Sequence, residues 1–165
     1  MTRVLHPLTS TDHPEQDFTW VDAAPFRAHV GQLLANGLTE SVIARLTGLS
    51  VRAVNHLAYG RHGRPVRKIC RDSARNLLQI TTGEARALRY RAVPVQESRQ
   101  RLHLMARGGW TTEQLAEQVG ICIREVEQVF CPASATCTQL TAVKIAATFE
   151  QWESDQEFLG LVAAA

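Results

Sequence analysis

The feature that most constrains the fold of this chain is an internal repeat. When the sequence is shifted along itself by one constant number of residues, residues of the same kind align in two parts of the chain. The aligned pairs are Val30 with Leu102, Gly37 with Gly109, Thr39 with Thr111, Ile43 with Leu115, Ala44 with Ala116, Gly48 with Gly120, Arg52 with Arg124, and Val54 with Val126. A repeat of this extent predicts two copies of one structural unit, and the 165 residues suffice for two small domains with separate cores.

Helix signals divide the first copy into three helices. The first helix is expected to begin near Asp22 as its N-cap, with apolar residues following at 3.6-residue spacing. Thr39 is expected to cap a second helix over 40–47, and Ser50 to cap a third helix that runs to about Tyr59. The copy is therefore predicted to be entirely helical up to this point.

The turn between the second and third helices makes the pattern specific. Gly48 allows a sharp turn at little steric cost, and Ala44 is small where the two helices would cross. Ile43, Val54 and Leu57 provide the apolar contacts between them. This combination predicts a helix-turn-helix, which places its second helix in the major groove of DNA, with a generic helical hairpin as the alternative.

The outward face of the third helix carries the residues expected to read bases. If Val54 and Leu57 face the core, the opposite side presents polar side chains, because helical geometry separates the two faces. The expected base-reading residues of the first copy are Ser50, Val51, Arg52, Asn55 and His56. Arginine suits guanine and asparagine suits adenine, whereas a histidine here is equally explained as a solvated polar residue.

A basic loop follows this helix directly. Residues 60–68 (GRHGRPVRK) hold five basic residues, His62 included, and no acidic one. Gly63-Arg64-Pro65 resembles the core of the AT-hook, a basic tripeptide that lies extended in the narrow minor groove of A·T-rich DNA. The expected minor-groove residues are therefore Arg61, Gly63, Arg64 and Pro65. The plain alternative is a solvated loop.

Charge is distributed unevenly along the chain, although the net charge is only +2. The segment 45–107 holds fourteen Lys and Arg residues and three acidic residues, a net charge of +11, and the remainder carries −9. This pattern favours a polyanionic partner, since backbone phosphates attract such a surface. Further residues are expected on the DNA backbone: Thr39, Tyr59, Arg67, Lys68, Arg71, Arg99, Arg107 and Thr112.

The second copy differs in its chemistry. Arg124 and Gln128 are its candidate base readers, and Glu125 is a candidate acceptor from cytosine, but Glu127 would repel phosphate. Base contact and a role in backbone positioning or protein contact both remain open for this helix. Beyond it the offset of the repeat becomes smaller, so that Ser73 aligns with Thr141, and the first copy therefore has four extra residues, which fall in the basic loop.

Each copy needs a closing helix. Asp72 is expected to cap one over about 73–80, and Thr138 one over about 139–154 that covers the second copy, with its acidic end facing away from DNA. The predicted fold is all-α, with two tandem helix-turn-helix domains joined by a basic linker. The predicted segments are an arm (1–21), the first domain (22–80), the linker (81–94), the second domain (95–155) and a tail (156–165).

Other classes of function lack their motifs. The sequence has no phosphate-binding glycine loop, nucleophile elbow or zinc-protease motif, so no catalytic, cofactor or metal site is predicted, and no small-molecule ligand. No apolar run reaches the ~20 residues that cross a membrane, so no membrane partner is expected and the protein is predicted to be cytoplasmic. The four cysteines are expected to be reduced thiols, although a Cys131–Cys137 disulfide stays possible.

The run WVDAAPFRAHVGQLLANGLTESVIARLTGLSVRAVNHLAYGRHGRPVRKI is similar to helix-turn-helix proteins of actinobacteria and their phages. With the tandem second unit, the chain over about 20–155 resembles the immunity repressors of temperate mycobacteriophages. The resemblance implies a repressor that maintains lysogeny by binding double-stranded DNA at an operator and at short asymmetric stoperator sites. It also implies a location in the bacterial host cytoplasm, in association with the nucleoid. It also implies a monomer, in agreement with two unlike recognition faces and no dimerisation motif.

Two other functions remain open. Serine recombinases and transposases carry a similar tandem, so the chain is alternatively a DNA-binding subunit or fragment of such an enzyme. The second copy is alternatively a module that binds protein, in a regulator that contacts DNA through the first copy alone.

Overall fold

The computed structural model describes the backbone of residues 19–163 and the side chains of residues 19–156. This part of the chain is mainly helical, as predicted. The first unit comprises β1 (Trp20–Asp22), α1 (Ala24–Ala35), α2 (Glu40–Thr47), α3 (Val51–Tyr59), β2 (Lys68–Cys70), α4 (Arg71–Leu78) and α5 (Thr82–Ala87). The second unit comprises β3 (Ala92–Pro94), α6 (Gln96–Arg107), α7 (Thr112–Val119), α8 (Ile123–Phe130), β4 (Thr136–Thr138) and α9 (Gln139–Ala163).

The sequence repeat is also a repeat of structure. Both units follow the order strand, three helices, strand, helix, and the strands pair antiparallel with Val21 opposite Ile69 and Val93 opposite Cys137. The shift in residue number that aligns Val30 with Leu102 relates the two units through α8. The smaller shift that aligns Ser73 with Thr141 relates them from β4 onward. The strands were not predicted. Each is too short to show the alternation that identifies a strand in a sequence.

The residues predicted to lock the helices together are buried in the first unit. Val54 and Ile43 have no exposed surface, and Ala44 and Leu57 are each 4% exposed. Gly48 has φ +70° and Gly120, its counterpart in the second unit, has φ +69°. These values lie in the left-handed region, which glycine reaches without the penalty of a Cβ.

The predicted helix caps are partly confirmed. The side chains of Thr39 and Ser50 accept the backbone N–H groups of the residues three positions on, and Thr138 accepts that of Thr141 at 3.1 Å. Asp22 is not the N-cap of α1, since Ala23 holds that position and the Asp22 carboxylate accepts the Ala24 N–H at 3.1 Å. Asp72 is likewise not a cap. It lies in the first turn of α4, whose N-cap is Cys70.

The segment 81–94, expected to be a linker, is ordered into α5 and β3. Thr81 and Glu84 form a reciprocal capping box at the start of α5. Ala85 has no exposed surface and belongs to the core of the first unit. Because both ends of the segment are built into the two units, little free chain remains between them.

Helix α9 belongs to both cores, whereas the sequence predicted a helix that covers the second unit alone. Ile145 and Phe149 are buried in the second core, and Ala147 is buried in the first, with Val143 packed against it. Residues two positions apart point to nearly opposite sides of a helix, so one helix supplies both cores. The helix continues to Ala163 and includes most of the segment predicted as a tail.

Two further predictions concern segments at the ends of the chain, and one concerns membrane spans. The N-terminal arm up to residue 18, and the side chains of the tail from residue 157, lie outside the described residues. Among the helices that the structure does describe, none combines the length and apolar character needed to cross a membrane.

Candidate nucleic-acid interface

The exposed side of α3 brings together the residues predicted to read bases. Ser50, Val51 and Arg52 are exposed at its start, and Asn55 and His56 are half-buried one turn later. Because Val54 and Leu57 anchor the opposite side in the core, the backbone of this face is held rigidly. This surface, formed by Ser50, Val51, Arg52, Asn55 and His56, is called the reading face after its predicted role, and a major groove admits a helix of this kind.

Tyr59 ends this face, but its hydroxyl group is engaged within the protein. It donates a hydrogen bond to the Glu40 carboxylate at the start of α2, and this bond raises the pKa of Tyr59. The Tyr59 side chain remains 68% exposed. A phosphate contact at this position, which the sequence predicts, would compete with Glu40 for the hydroxyl proton.

The basic loop folds as a tight hairpin tip. Arg61 and Arg64 exchange backbone hydrogen bonds of 2.8 and 3.1 Å, and His62 and Gly63, between them, both have positive φ values. The predicted extended path through Gly63-Arg64-Pro65 is therefore wrong, since two successive left-handed residues reverse the chain. The side chains of Arg61 and Arg64 both stay exposed at the tip.

The remaining basic residues of the first unit flank this tip. Arg67 and Lys68 follow Pro65 on the way into β2, and Arg71 begins α4, all with exposed side chains. No acidic residue occurs between Tyr59 and Asp72. The segment from α3 to the start of α4 therefore carries basic charge only, which suits a strand of phosphates, although Asp22 of β1 lies opposite Lys68.

Acidic residues of α9 lie beside the start of α3, against expectation. Glu150 and Asp155 of α9 line a cleft of about 900 Å³ together with Val51 at the start of α3. Glu150 pairs with Arg45 of α2, so the charges of these two residues offset each other. The sequence predicted that the acidic end of the last helix faces away from the reading face. It lies beside that face because α9 also packs into the first core.

Residues of α9 thus belong to the surroundings of the reading face, which sequence reasoning missed. Gln151 lines a second cleft with Asn55, His56 and Tyr59. A signal was present in the sequence, since Val143 and Ala147 form an apolar pair one helical turn apart beside the main apolar stripe of the helix. This second stripe indicates a second packing partner.

The corresponding face of the second unit is mixed in charge. Arg124, Glu127 and Gln128 are exposed on α8, next to Ile123, which is 45% exposed. Glu125, in contrast, is an internal partner, since its carboxylate accepts the Cys122 N–H at 3.0 Å and the Thr141 hydroxyl at 2.9 Å. The predicted contact of Glu125 with cytosine is therefore not supported.

The pKa of Glu125 reflects this internal role. Burial acts to raise it, but the hydrogen bonds from Cys122 and Thr141, together with the nearby Lys144 ammonium, outweigh burial and lower the pKa. The ionised carboxylate therefore joins the start of α8 to α9.

The predicted backbone contacts of the second unit separate into two groups. Arg107 is exposed at the end of α6 and Thr112 is half-buried at the start of α7. Arg99 is held inside the unit, where its guanidinium donates to the carbonyl oxygens of Val129, Cys131 and Ser134 at 2.7 to 2.8 Å. A DNA contact by Arg99 would require these bonds to break.

The two units approach each other where the start of α2 meets the turn between α7 and α8. A Cβ at Gly120 would lie 4.0 Å from the Thr39 side chain. Thr39 is expected on the DNA backbone, but its hydroxyl oxygen already accepts the Val42 N–H and contacts Ser41. The start of α2 therefore lies next to the α7–α8 turn of the second unit.

The described residues hold no group of three or more histidine, cysteine or acidic side chains that could bind a metal ion. All four cysteines are free thiols. Cys137 is buried, and burial raises the pKa of its thiol.

Comparisons of the chain with known protein families, with curated proteins and with solved structures find no significant match. The functional interpretation therefore depends on the geometry of the two units and on the distribution of charge over them.

Proposed function

We propose that this protein is a sequence-specific DNA-binding repressor that binds an asymmetric site as a monomer, through two helix-turn-helix domains in tandem. The observation that supports this most is the first unit, where a rigid polar face of α3 continues into an exposed cationic loop. This arrangement suits one helix in the major groove and a hairpin tip at the adjacent minor groove.

The two recognition faces support an asymmetric site. Arg52 and Asn55 of α3 correspond to Arg124 and Glu127 of α8, so the repeat keeps the arginine and replaces an amide with an acid. Two such faces, in units that share α9, would bind two unlike half-sites. Because the units are linked, binding of one would raise the effective concentration of the other at its half-site. The resemblance to immunity repressors of mycobacteriophages supports an operator and stoperators as the targets and maintenance of lysogeny as the role.

Selection of bound sequences from a random DNA pool with the full chain tests this proposal. We expect a single asymmetric motif and, by light scattering, one protein per duplex at every concentration. A palindromic motif that binds two protein molecules would overturn the monomer proposal, and failure to enrich any motif would overturn sequence-specific binding.

Variants at matched positions of the repeat then test the contribution of each unit. Arg52→Ala should weaken binding by about 1–3 kcal/mol and relax the preference at one position. Arg124→Ala provides the matched control, because it removes the same charge at the equivalent position. A comparable change of preference at a second position would show that both units read bases.

A second function is favoured for α8 by its own chemistry. Ile123 is 45% exposed and Glu127 is acidic, a combination more typical of a protein contact than of a DNA contact. If the second unit binds protein, Arg124→Ala and Gln128→Ala should leave the selected DNA motif and the affinity unchanged. Point variants are preferable to deletion of the second unit, since Ala147 of α9 is part of the first core.

The loop has its own test. Arg64→Ala should weaken binding most where the flank of the site is rich in A·T pairs, because a narrow minor groove concentrates negative potential. An equal loss on every sequence would reduce Arg64 to a phosphate contact.

A further inference from the structure

Two arginines at equivalent positions of the repeat have different surroundings. Arg99 in α6 donates from Nε to the Val129 carbonyl and from Nη2 to the carbonyls of Cys131 and Ser134. These bonds join α6 to the end of α8 and to the short connection that follows. Arg27 in α1 is the counterpart of Arg99 in the first copy, by the same offset that aligns Val30 with Leu102.

Arg27 lacks this set of bonds. Its Nε atom is shielded from solvent and has no hydrogen-bond partner within the described residues. The four extra residues of the first unit follow α3, in the place where the second unit has the connection that binds Arg99. The insertion turns the chain away into the hairpin tip, so the carbonyls that would satisfy the arginine are no longer arranged around it.

The space left by this change is a cleft of about 440 Å³ at the junction of α1, α3 and the loop. Arg27 lines it, together with Tyr59, Gly60, Gly63 and Pro65, and no acidic residue is among its lining residues. A Cβ built on Gly63 would meet no atom within 4 Å, so the loop side of the cleft is open. Arg27 is the charged residue among those that line the cleft, and its shielded Nε has no acceptor.

The position of the cleft indicates what would fill it. If α3 lies in a major groove and the hairpin tip at the adjacent minor groove, the phosphate strand that separates the two grooves must cross the chain between them. That crossing falls at Gly60, which lines the cleft. We propose that the cleft binds one backbone phosphate of this strand, with the Arg27 guanidinium as its donor.

This inference depends on the proposed DNA binding and adds a residue that the charge pattern does not identify. Arginine suits the role, because its planar fork can donate two parallel hydrogen bonds to phosphate oxygens. The contact would also orient the loop relative to α3. The second unit has no equivalent site, since Arg99 uses its donors internally.

The test uses Arg27→Met in the full chain, which keeps the length of the side chain and removes its charge. On the selected site we expect about tenfold weaker binding, similar on all sequence variants, and a salt dependence whose slope falls by about one. Arg27→Lys should retain the slope. The melting temperature should not fall, whereas Arg99→Met should lower it, because three carbonyl groups lose their donor.

A neutral phosphate on the DNA identifies the contact. Single methylphosphonate substitutions scanned across the site should include one, between the major-groove and minor-groove contacts, that weakens binding of the unsubstituted protein but not of the Arg27→Met variant. If Arg27→Met leaves affinity and salt slope unchanged while Arg52→Ala weakens binding, the phosphate site is wrong and the proposed function stands. A fall in melting temperature equal to that of Arg99→Met would make Arg27 a structural residue. If the unsubstituted protein binds no DNA, both proposals fail.

Discussion

Because α9 packs into both cores, we expect the two units to unfold together. A matched pair of core substitutions can test this. Leu77 of α4 and Ile145 of α9 occupy equivalent positions of the repeat, and neither has exposed surface. Leu77→Ala makes a cavity in the first core and Ile145→Ala makes one in the second. Each should cost about 2–5 kcal/mol, from lost apolar transfer and the residual cavity.

The expected result follows from the way α9 is shared. Ala147 is buried in the first core, and Glu150 pairs with Arg45 of α2, so unfolding of the first unit would uncover one side of α9. Unfolding of the second unit would remove α9 altogether. Each variant should therefore shift a single transition, by roughly 2–4 °C per kcal/mol for a chain of this size, or about 6–12 °C for a loss of about 3 kcal/mol.

Differential scanning calorimetry of the full chain measures this directly, with far-ultraviolet circular dichroism as a second probe. Coincident transitions from both probes would indicate cooperative unfolding. Two transitions in the unsubstituted protein, with Leu77→Ala moving one and Ile145→Ala the other, would refute the reasoning. Ala147→Glu is the uncoupling variant, and it should separate one transition into two because it places a charge in the first core.

Three further predictions concern charge and backbone geometry. Glu150→Gln should strengthen DNA binding about twofold at low salt, the effect expected of one charge ~10 Å from a phosphate in water. Glu153→Gln is the control, because Glu153 does not line the cleft of Glu150, and it should have a smaller effect. Equal effects of the two variants would indicate that only the net charge matters. Gly60→Ala should abolish the loop contribution with little change in helix content by circular dichroism, since φ is +86° and a Cβ would lie 2.5 Å from a loop carbonyl; unchanged binding would show that the hairpin tip is dispensable. Because the pKa of Glu125 is lowered in the folded protein, its ionised carboxylate stabilises the fold above the ordinary pKa of glutamate. This stabilisation is lost as the pH falls through the lower pKa of the folded state. Thr141→Val should therefore reduce the dependence of the unfolding free energy on pH in this range, as measured by urea unfolding.

The local features of this protein were predictable because short segments determine them. The caps at Thr39 and Ser50, the turn at Gly48 and the apolar positions of α3 each depend on residues within a few positions. The repeat itself was recognisable because both copies bury apolar residues and place turns at equivalent positions. It also located the insertion in the basic loop, because the offset between the copies changes there.

The short strands and the hairpin tip were not predictable in the same way. Strand β1 pairs with β2, which lies beyond three intervening helices in the chain, and such short strands carry no periodic pattern. The tip depends on positive φ values at His62 and Gly63, and such values are uncommon for residues other than glycine. Such a conformation follows from the closure of the loop between fixed ends, which a local pattern does not record.

By itself the sequence determined two related helical units, the caps at Thr39, Ser50 and Thr138, the turn at Gly48, and a cationic segment next to α3. Only the tertiary structure decided how the units are joined and what surrounds that helix. The long helix α9 contributes to both cores, so its acidic end lies beside the reading face. The insertion that forms the loop also leaves Arg27 without carbonyls equivalent to those that bind Arg99. The physical reason is that packing depends on which distant surfaces meet, whereas helix formation and turn formation depend on near neighbours.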